Sequence, residues 1–293
     1  MRRHPFSSSA VCGLWLAAGL VVGTGGGRAQ LLFDGALGTL PQEQGWNYRA
    51  LPGLATLEHT GASVRLDTWA ASSEHAGMAR QAPAPLNRTN GFALEFTVTL
   101  PRETHRNPDR AGFSVIALDH AARGIELGFW TDRVFAQSDA PLFTHAEDAA
   151  WDGSARQRLS LVLTATNYTL YTEGAPLLRG PIRDYSAFAG PIDVYETPDF
   201  LFLGDDTSSA AAVVEIERVA LILPPRLEPQ GTTPEGAIVV GWTGPPGSRF
   251  TVETAADAGG AWTPRAAIIA PDGRFRFTNT WAGVAGFLRV RHP

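Results

Sequence analysis

Along most of the chain, hydrophobic and polar residues alternate with a period of two. The clearest stretch is 92–100, where Phe92, Leu94, Phe96, Val98 and Leu100 fall on one side and Glu95, Thr97 and Thr99 on the other. Successive side chains of a strand point to opposite faces, so this pattern predicts a strand with one buried and one wet surface. Leu159, Leu161 and Leu163 form another such row, and so do Val214, Ile216, Val219 and Leu221 beside Glu215, Glu217 and Arg218. Residues 112–119 are apolar on both faces, as in a central strand. Further strands are predicted at 31–34, 55–58, 63–68, 124–130, 133–137, 168–173 and 200–204. Thr60-Gly61, Gly174 and 204–207 supply turns, and 35–44 and 80–90 read as loops. No helical periodicity persists beyond a few turns, so the fold class is all-β.

Two prolines in a row cannot continue a central ladder, so Pro224-Pro225 ends the sheet. The expected organisation is a large domain over 30–223, a Pro- and Gly-rich linker over 224–236 and a small β-sandwich over 237–293. Short strands are predicted in the last piece at 237–242, 249–253, 273–279 and 286–291.

Composition sharpens this picture. With 293 residues, 44% of them hydrophobic and 18% charged, the chain can bury a large core. Its 31 glycines and 21 prolines suit short strands and tight turns. A net charge of −5 argues against a nucleic-acid partner, and every basic residue is Arg. Arg2 and Arg3, the apolar run 10–22 and Gly27-Arg28-Ala29 have the form of a secretory signal peptide over 1–29. The expected mature chain starts near Gln30 and is extracellular or periplasmic. The apolar run is shorter than the ~20 residues that span a bilayer, so no membrane span is expected in the mature chain. Cys12, the sole cysteine, lies in the leader, which removes thiol catalysis, disulfides and Cys-ligated zinc from consideration.

Trp151, the alternating stretch 158–166 and Tyr168-Thr169-Leu170-Tyr171-Thr172-Glu173-Gly174 resemble the laminin-G-like pattern of a Trp, a strand and a hairpin. Residues 200–204, their turn and 213–222 are similar to that family's closing strands. Residues 31–223 thus resemble the concanavalin A-like lectin/glucanase superfamily, and 124–131 and 181–207 look like secreted bacterial choice-anchor modules. The resemblance implies a jelly-roll sandwich with a concave face for sugars and, in many members, calcium at a rim. The C-terminal piece, with Phe250-Thr251-Val252-Glu253 and Phe287-Leu288-Arg289-Val290, is similar to small repeats that end secreted bacterial proteins.

Two groups of residues carry candidate chemistry. Asp205 and Asp206 in the Gly204-Asp205-Asp206-Thr207 turn offer the hard oxygens that Ca²⁺ prefers, or they hydrogen-bond their own turn amides. Glu126, Trp130, Arg133, His145, Arg183 and Tyr185 form the second group. If Ile125, Leu127 and Phe129 face the core, Glu126 and Trp130 face away from it, where an aromatic ring can stack on a sugar and charged groups can bond its hydroxyls. The plainer reading is a Trp covering a sheet edge and an Arg183-Asp184 surface pair.

Catalytic constellations are missing. The E-x-D-x-x-E strand of the related glucanases is absent, Glu215-Ile216-Glu217 being the nearest run. The Arg, Gln-x-His and Tyr motifs of jelly-roll alginate lyases, G-x-S-x-G and H-E-x-x-H are absent too. His145 with Glu147 is the one acid–base pair the spacing suggests. The primary expectation is a non-catalytic module that binds a neutral or weakly charged glycan or polysaccharide. The alternatives are a glycoside hydrolase or lyase and a structural surface module without a small ligand.

Overall fold

The computed structural model describes residues 28–70, 73–190, 192–223, 228–235, 237–243, 249–255, 261–271, 274–279 and 287–291. The signal-peptide reading, apart from its last residues, lies outside the described residues. The chain divides into two compact units, a larger one that holds the described residues up to 223 and a smaller one that holds most of those from 228 onward.

In chain order the larger unit consists of β1 (Arg28–Asp34), β2 (Asn47–Leu51), β3 (Thr56–Thr60), β4 (Ser63–Asp67), β5 (His75–Gln81), β6 (Phe92–His105), β7 (Phe113–Leu118) and β8 (Gly124–Phe129). It continues with β9 (Arg133–Asp139), β10 (Leu142–Ala150), β11 (Gln157–Leu163), β12 (Asn167–Thr172), β13 (Ala175–Pro181), β14 (Phe200–Asp205) and β15 (Ala210–Leu223). They pair into two antiparallel sheets. One is eight-stranded in the order β13-β12-β11-β6-β15-β4-β3, with β1 added along β15; the other is seven-stranded in the order β10-β9-β8-β7-β14-β5-β2. The unit is an all-β sandwich.

The alternation explains the core. Phe92, Leu94, Phe96, Val98 and Leu100 of β6 and Leu159, Leu161 and Leu163 of β11 face inward from one sheet. Phe113, Val115, Ala117, Ile125, Leu127 and Phe129 of β7 and β8 face them from the other. Burial of these rows supplies the main driving force for closing the two sheets. The seven-stranded sheet is also covered on its outer face. There Ile116, Leu118, Phe143 and Phe200 make a second apolar cluster with Tyr185 and Tyr195, which come from the stretch after β13. This explains why β7 and β8 are buried on both faces.

Several elements differ from the sequence expectation. β14 and β15 belong to opposite sheets; Gly204 and Asp205, read as part of a turn, end β14, and residues 206–209 carry the chain across the sandwich edge. β2, β5 and β10 are not among the predicted strands: β2 alternates over only five residues, β5 and β10 carry no clean alternation, and their neighbours in the sheet define them. Residues 35–44, expected as a loop, hold two short 3-10 turns at Gly35–Leu37 and Pro41–Gln44.

The smaller unit contains β16 (Glu228–Thr232), β17 (Ile238–Thr243), β18 (Arg249–Ala255), β19 (Thr263–Ile269), β20 (Arg274–Asn279) and β21 (Phe287–Arg291). Two three-stranded sheets, β16-β17-β20 and β19-β18-β21, enclose Val240, Trp242, Phe250, Val252, Phe275 and Val290. β16 falls inside the stretch read as linker, because its pairing with β17 outweighs its Pro and Gly content.

Candidate functional site

The outer face of the seven-stranded sheet gathers most of the residues singled out from the sequence. Its central strands present Ser114, Glu126 and Phe135 outward, because Val115, Leu127, Val134 and Ala136 are committed to the core. Small residues make this surface deep. Gly204, Ser114, Gly128 and Phe135 lie in register across β14, β7, β8 and β9, and the Phe135 ring lies where a Cβ on Gly128 would sit, 2.6 Å from it.

Glu126 lies at the centre, 2% exposed. The hydroxyl of Tyr195 donates to its Oε2 in a short contact, and its carboxyl also hydrogen-bonds that of Asp206. Asp206 in turn accepts from Ser114 Oγ at 2.9 Å. Burial is the main cause that pushes both carboxyls above the usual carboxylate range, and for Glu126 the neighbouring Asp206 charge adds to it. Two enclosed carboxyls in hydrogen-bond contact hold a proton between them. The Arg110 guanidinium acts electrostatically on both and favours one negative charge on the pair.

Tyr185 is fully buried. Its hydroxyl accepts from the Glu126 backbone N–H at 3.2 Å and donates to the Gln137 carbonyl at 2.8 Å. The β8–β9 ladder runs only over Leu127↔Ala136, Gly128↔Phe135 and Phe129↔Val134. The tyrosine hydroxyl therefore stands where the next ladder bonds would form. Beyond it Arg183 takes over as the neighbour of β8, through paired backbone bonds with Gly124 of 2.8 and 3.2 Å. Glu126 and Tyr185 are thus interior groups of this face, and the open groove position expected for them is filled by Phe143, Phe188 and Tyr195.

Trp130 sits at the end of β8, half-buried, with His105 stacked on its ring at 4.1 Å. Phe135 lies 5.1 Å away and His145 meets it edge-on at 5.4 Å. Its indole N–H donates to the Arg110 carbonyl at 2.8 Å. The ring is therefore one member of a packed aromatic stack, in contrast to the open platform expected from alternation alone. His145 stacks on Phe135 at 4.2 Å and contacts Asp148 at 3.2 Å, and Arg133 bonds the other Asp148 oxygen at 2.5 Å. Asp148 thus joins two of the predicted residues on a partly open surface.

Arg183 does not pair with Asp184. It contacts both Glu147 oxygens at 2.8 Å, and Tyr168 donates to the same carboxylate at 3.2 Å. Asp184 pairs with Arg123. Adjacent residues of an extended chain point apart. His145 and Glu147 are two positions apart and would share a face of a regular strand, but the register of β10 against β9 shifts between His145 and Asp148, and the two take different partners.

The acidic turn divides in the same way. Asp205 is buried; it accepts from the Thr207 N–H at 3.1 Å and from Thr68 Oγ1 at 2.9 Å. This is the Asx-turn alternative, and burial pushes its carboxyl up to about 9. Asp206 points instead to Ser114 and Glu126. The two adjacent carboxyls thus turn to different partners and do not converge on one position in this arrangement. Among the described residues no three His, Cys, Asp or Glu side chains converge on a metal position.

Tyr195, His105, Asp148, Gln137 and Arg110 were not singled out from the sequence. Gln137 is buried on the same face; its amide donates to the Asp109 carbonyl at 2.8 Å, and its Oε1 has no partner among the described residues. Tyr195 lies in an irregular stretch without periodicity, so its only sequence signal was being an aromatic among Pro, Asp and Glu.

No family model matches the chain, and no curated protein matches it. Solved structures do. A protein of unknown function with a galectin-like fold from Bacillus subtilis is 12% identical, with a TM-score of 0.42 over 68% of this chain and 98% of that one. The Ca²⁺-bound exoplasmic/lumenal domain of VIP36 is 10% identical, with a TM-score of 0.41 over 66% and 89%. A family 7 alginate lyase, A1-II′, in complex with product is 9% identical, with a TM-score of 0.38 over 67% and 95%. At this level of likeness the roles of individual residues rest on the geometry above.

Proposed function

We propose that the protein is a secreted, non-catalytic carbohydrate-recognition protein whose larger unit contacts a glycan on the outer face of the seven-stranded sheet. The observation that carries this reading is the Arg133–Asp148–His145 array on the Trp130–Phe135–His105 stack. It combines a guanidinium, a carboxylate and an imidazole, fixed on rigid rings beside partly open surface. Groups of this kind, pre-positioned and able both to donate and to accept, suit sugar hydroxyls. Glycan-array binding followed by calorimetry is the test. His145→Ala and Trp130→Ala should weaken the best glycan at least tenfold with little change in Tm for His145→Ala. Unchanged affinity in both variants overturns the reading.

One feature favours a catalytic alternative: Glu126, Asp206 and Tyr195 form an acid–base cluster at the centre of the face. Against it, the two carboxyls are in mutual contact, whereas retaining glycosidases separate theirs by ~5 Å around the bond being cut. They also lie beneath Tyr185 and Tyr195. Release of reducing or unsaturated ends from a polysaccharide panel, abolished by Glu126→Gln, would establish the alternative.

A further inference from the structure

We infer that the piece 192–199, which sets Tyr195 over the centre of the seven-stranded sheet, is a flap locked by the one proton that Glu126 and Asp206 share. Loss of that proton lifts the flap while the sandwich stays folded. This inference does not depend on the glycan site proposed above. Tyr195 is 5% exposed, and its hydroxyl donates to Glu126 Oε2. Its ring packs on Phe143 at 5.1 Å, Tyr185 at 5.2 Å and Phe188 at 5.6 Å.

Backbone bonds tie the flap to the body of the unit at one end. The Asp199 N–H donates to the Asp119 carbonyl at 3.0 Å, and the Asp199 carbonyl accepts from the Ala82 N–H at 2.8 Å. The Asp199 carboxylate takes the Leu86 N–H at 2.6 Å and contacts His120 at 2.9 Å. Between 192 and 198 the bonds are of another kind. The Thr197 N–H donates to the Val194 carbonyl and the Tyr195 N–H to the Asp193 carboxylate, both within the flap. Among the described residues only Gln81 reaches this stretch from the sheet, at the Pro198 carbonyl, 3.1 Å away. The Tyr195 side chain, with Val194 packed on the same cluster, is therefore the main attachment of the flap's middle. A piece held by so few backbone bonds opens at a lower free energy than the sheets beneath it.

The lock is the carboxyl pair. Enclosed carboxyls in contact need a proton between them, because without it two like charges face each other away from water. Their surroundings supply one cation. The Arg110 guanidinium acts on both, while it donates to the Phe143 carbonyl at 2.9 Å and the Asp109 carbonyl at 3.5 Å. It offsets one negative charge and leaves none for a second. The other facing groups are neutral: Ser114 of β7 donates to Asp206, and the Gln137 amide of β9 donates to the Asp109 carbonyl. Tyr185 and Tyr195 keep their protons, since burial raises both. Asp205 turns to Thr68 and Thr207. The flap's own acids, Asp193 and Glu196, are exposed. Lifting the flap lets water solvate the pair, so the open form loses the proton at ordinary carboxylate pH and the closed form keeps it. Opening therefore releases one proton, and its equilibrium constant rises about tenfold per pH unit until the closed form also ionises.

The test is chymotrypsin digestion of the full chain between pH 7 and pH 9, with the cut after Tyr195 followed by mass spectrometry. Each rate is normalised to that of a tyrosyl peptide at the same pH. Cleavage at a buried site tracks the open population when opening and closing are fast. The normalised rate should rise at least tenfold over this range, with constant far-UV dichroism. Glu126→Gln carries an amide that donates to Asp206 and accepts from Tyr195 at any pH, so its rate should stay flat. Asp206→Asn, which has no shared proton to lose, should stay flat as well. Tyr195→Phe keeps a chymotrypsin site without the donor, and should be cut at least fivefold faster than wild type at pH 7. The inference is overturned by a wild-type rate that follows the peptide, or by the same rise in either carboxamide variant that keeps the wild-type dichroism. It is also overturned by a Tyr195→Phe rate equal to wild type, or by loss of the β-sheet signal in step with cleavage, which makes the opening global.

Discussion

Asp205 shows how far one buried carboxyl sets a measurable property. Its ordinary value is 3.8 and burial raises it to about 9 in the folded chain. Below pH 3.8 both states hold the proton. Between the two values the unfolded chain has lost it and the folded chain keeps it, so the contribution to stability declines as pH rises, by about 1.4 kcal/mol per pH unit. Above the folded value the loss is complete. Asp205→Asn cannot ionise, so relative to wild type it should gain about 2–4 kcal/mol between pH 5 and pH 8.5, read from urea unfolding at the two pH values. Parallel pH profiles for the two proteins would show that Asp205 is ionised in the fold. The Glu126–Asp206 pair, also raised, works in the same direction, and Glu126→Gln should flatten the profile further. Tyr195→Phe tests a different link, because it leaves the Glu126 carboxyl without its phenol donor. It should cost about 1–3 kcal/mol at any pH at which the fold persists.

The decisive element is the segment that leaves β13 and crosses the outer face of the seven-stranded sheet. Arg183 pairs with Gly124 through backbone bonds, and the Tyr185 hydroxyl replaces the missing bonds between Glu126 and Gln137. The segment therefore behaves as an added half-strand with an aromatic wedge. Tyr185→Phe leaves a buried N–H and a buried C=O without partners, and chemical denaturation should show a loss of about 2–4 kcal/mol, at ~1–3 kcal/mol for each orphaned group. A loss below ~0.5 kcal/mol would mean that water or a shifted β9 fills the gap. Gly124 has its own constraint, since a Cβ there would fall 1.8 Å from the Ala117 carbonyl oxygen on β7. That atom is backbone in the sheet centre and cannot swing away. Gly124→Ala should therefore separate β7 from β8 locally and lower Tm by more than ~5 °C.

For the whole molecule, each unit closes its own core, one between the large sheets and one around Trp242, Phe250 and Phe275. A fragment of residues 28–223 should therefore unfold cooperatively with near-UV dichroism like that of the larger unit in the intact chain. A broad, non-cooperative transition would show that the smaller unit is needed for folding. Much of the larger unit was legible as sequence. β6, β11, β12 and β15 advertise themselves because each has a face that must be apolar, and a period of two is the imprint of that need, while β7, buried on both faces, shows as a continuous apolar run. The strands in which that imprint is short or missing, β2, β5 and β10, lie at or next to the sheet edge, where pairing with a neighbour decides the conformation and the side chains are less constrained. The candidate site was legible in part. Alternation alone placed Glu126 and Trp130 on the face away from the core, and the adjacent acids Asp205 and Asp206 were visible as a turn. What covers that face comes from residues roughly 60 positions further on: Tyr185 lies 59 from Glu126 and Tyr195 lies 69 from it. No local pattern encodes contacts of that range, so tertiary structure alone decided that Glu126 is sealed, that His105 caps Trp130, and that Asp205 and Asp206 take different partners. The amino-acid order determined which side chains share a face of a strand, because backbone stereochemistry makes that a local property. Which of those faces meets water was settled only when distant segments packed against them.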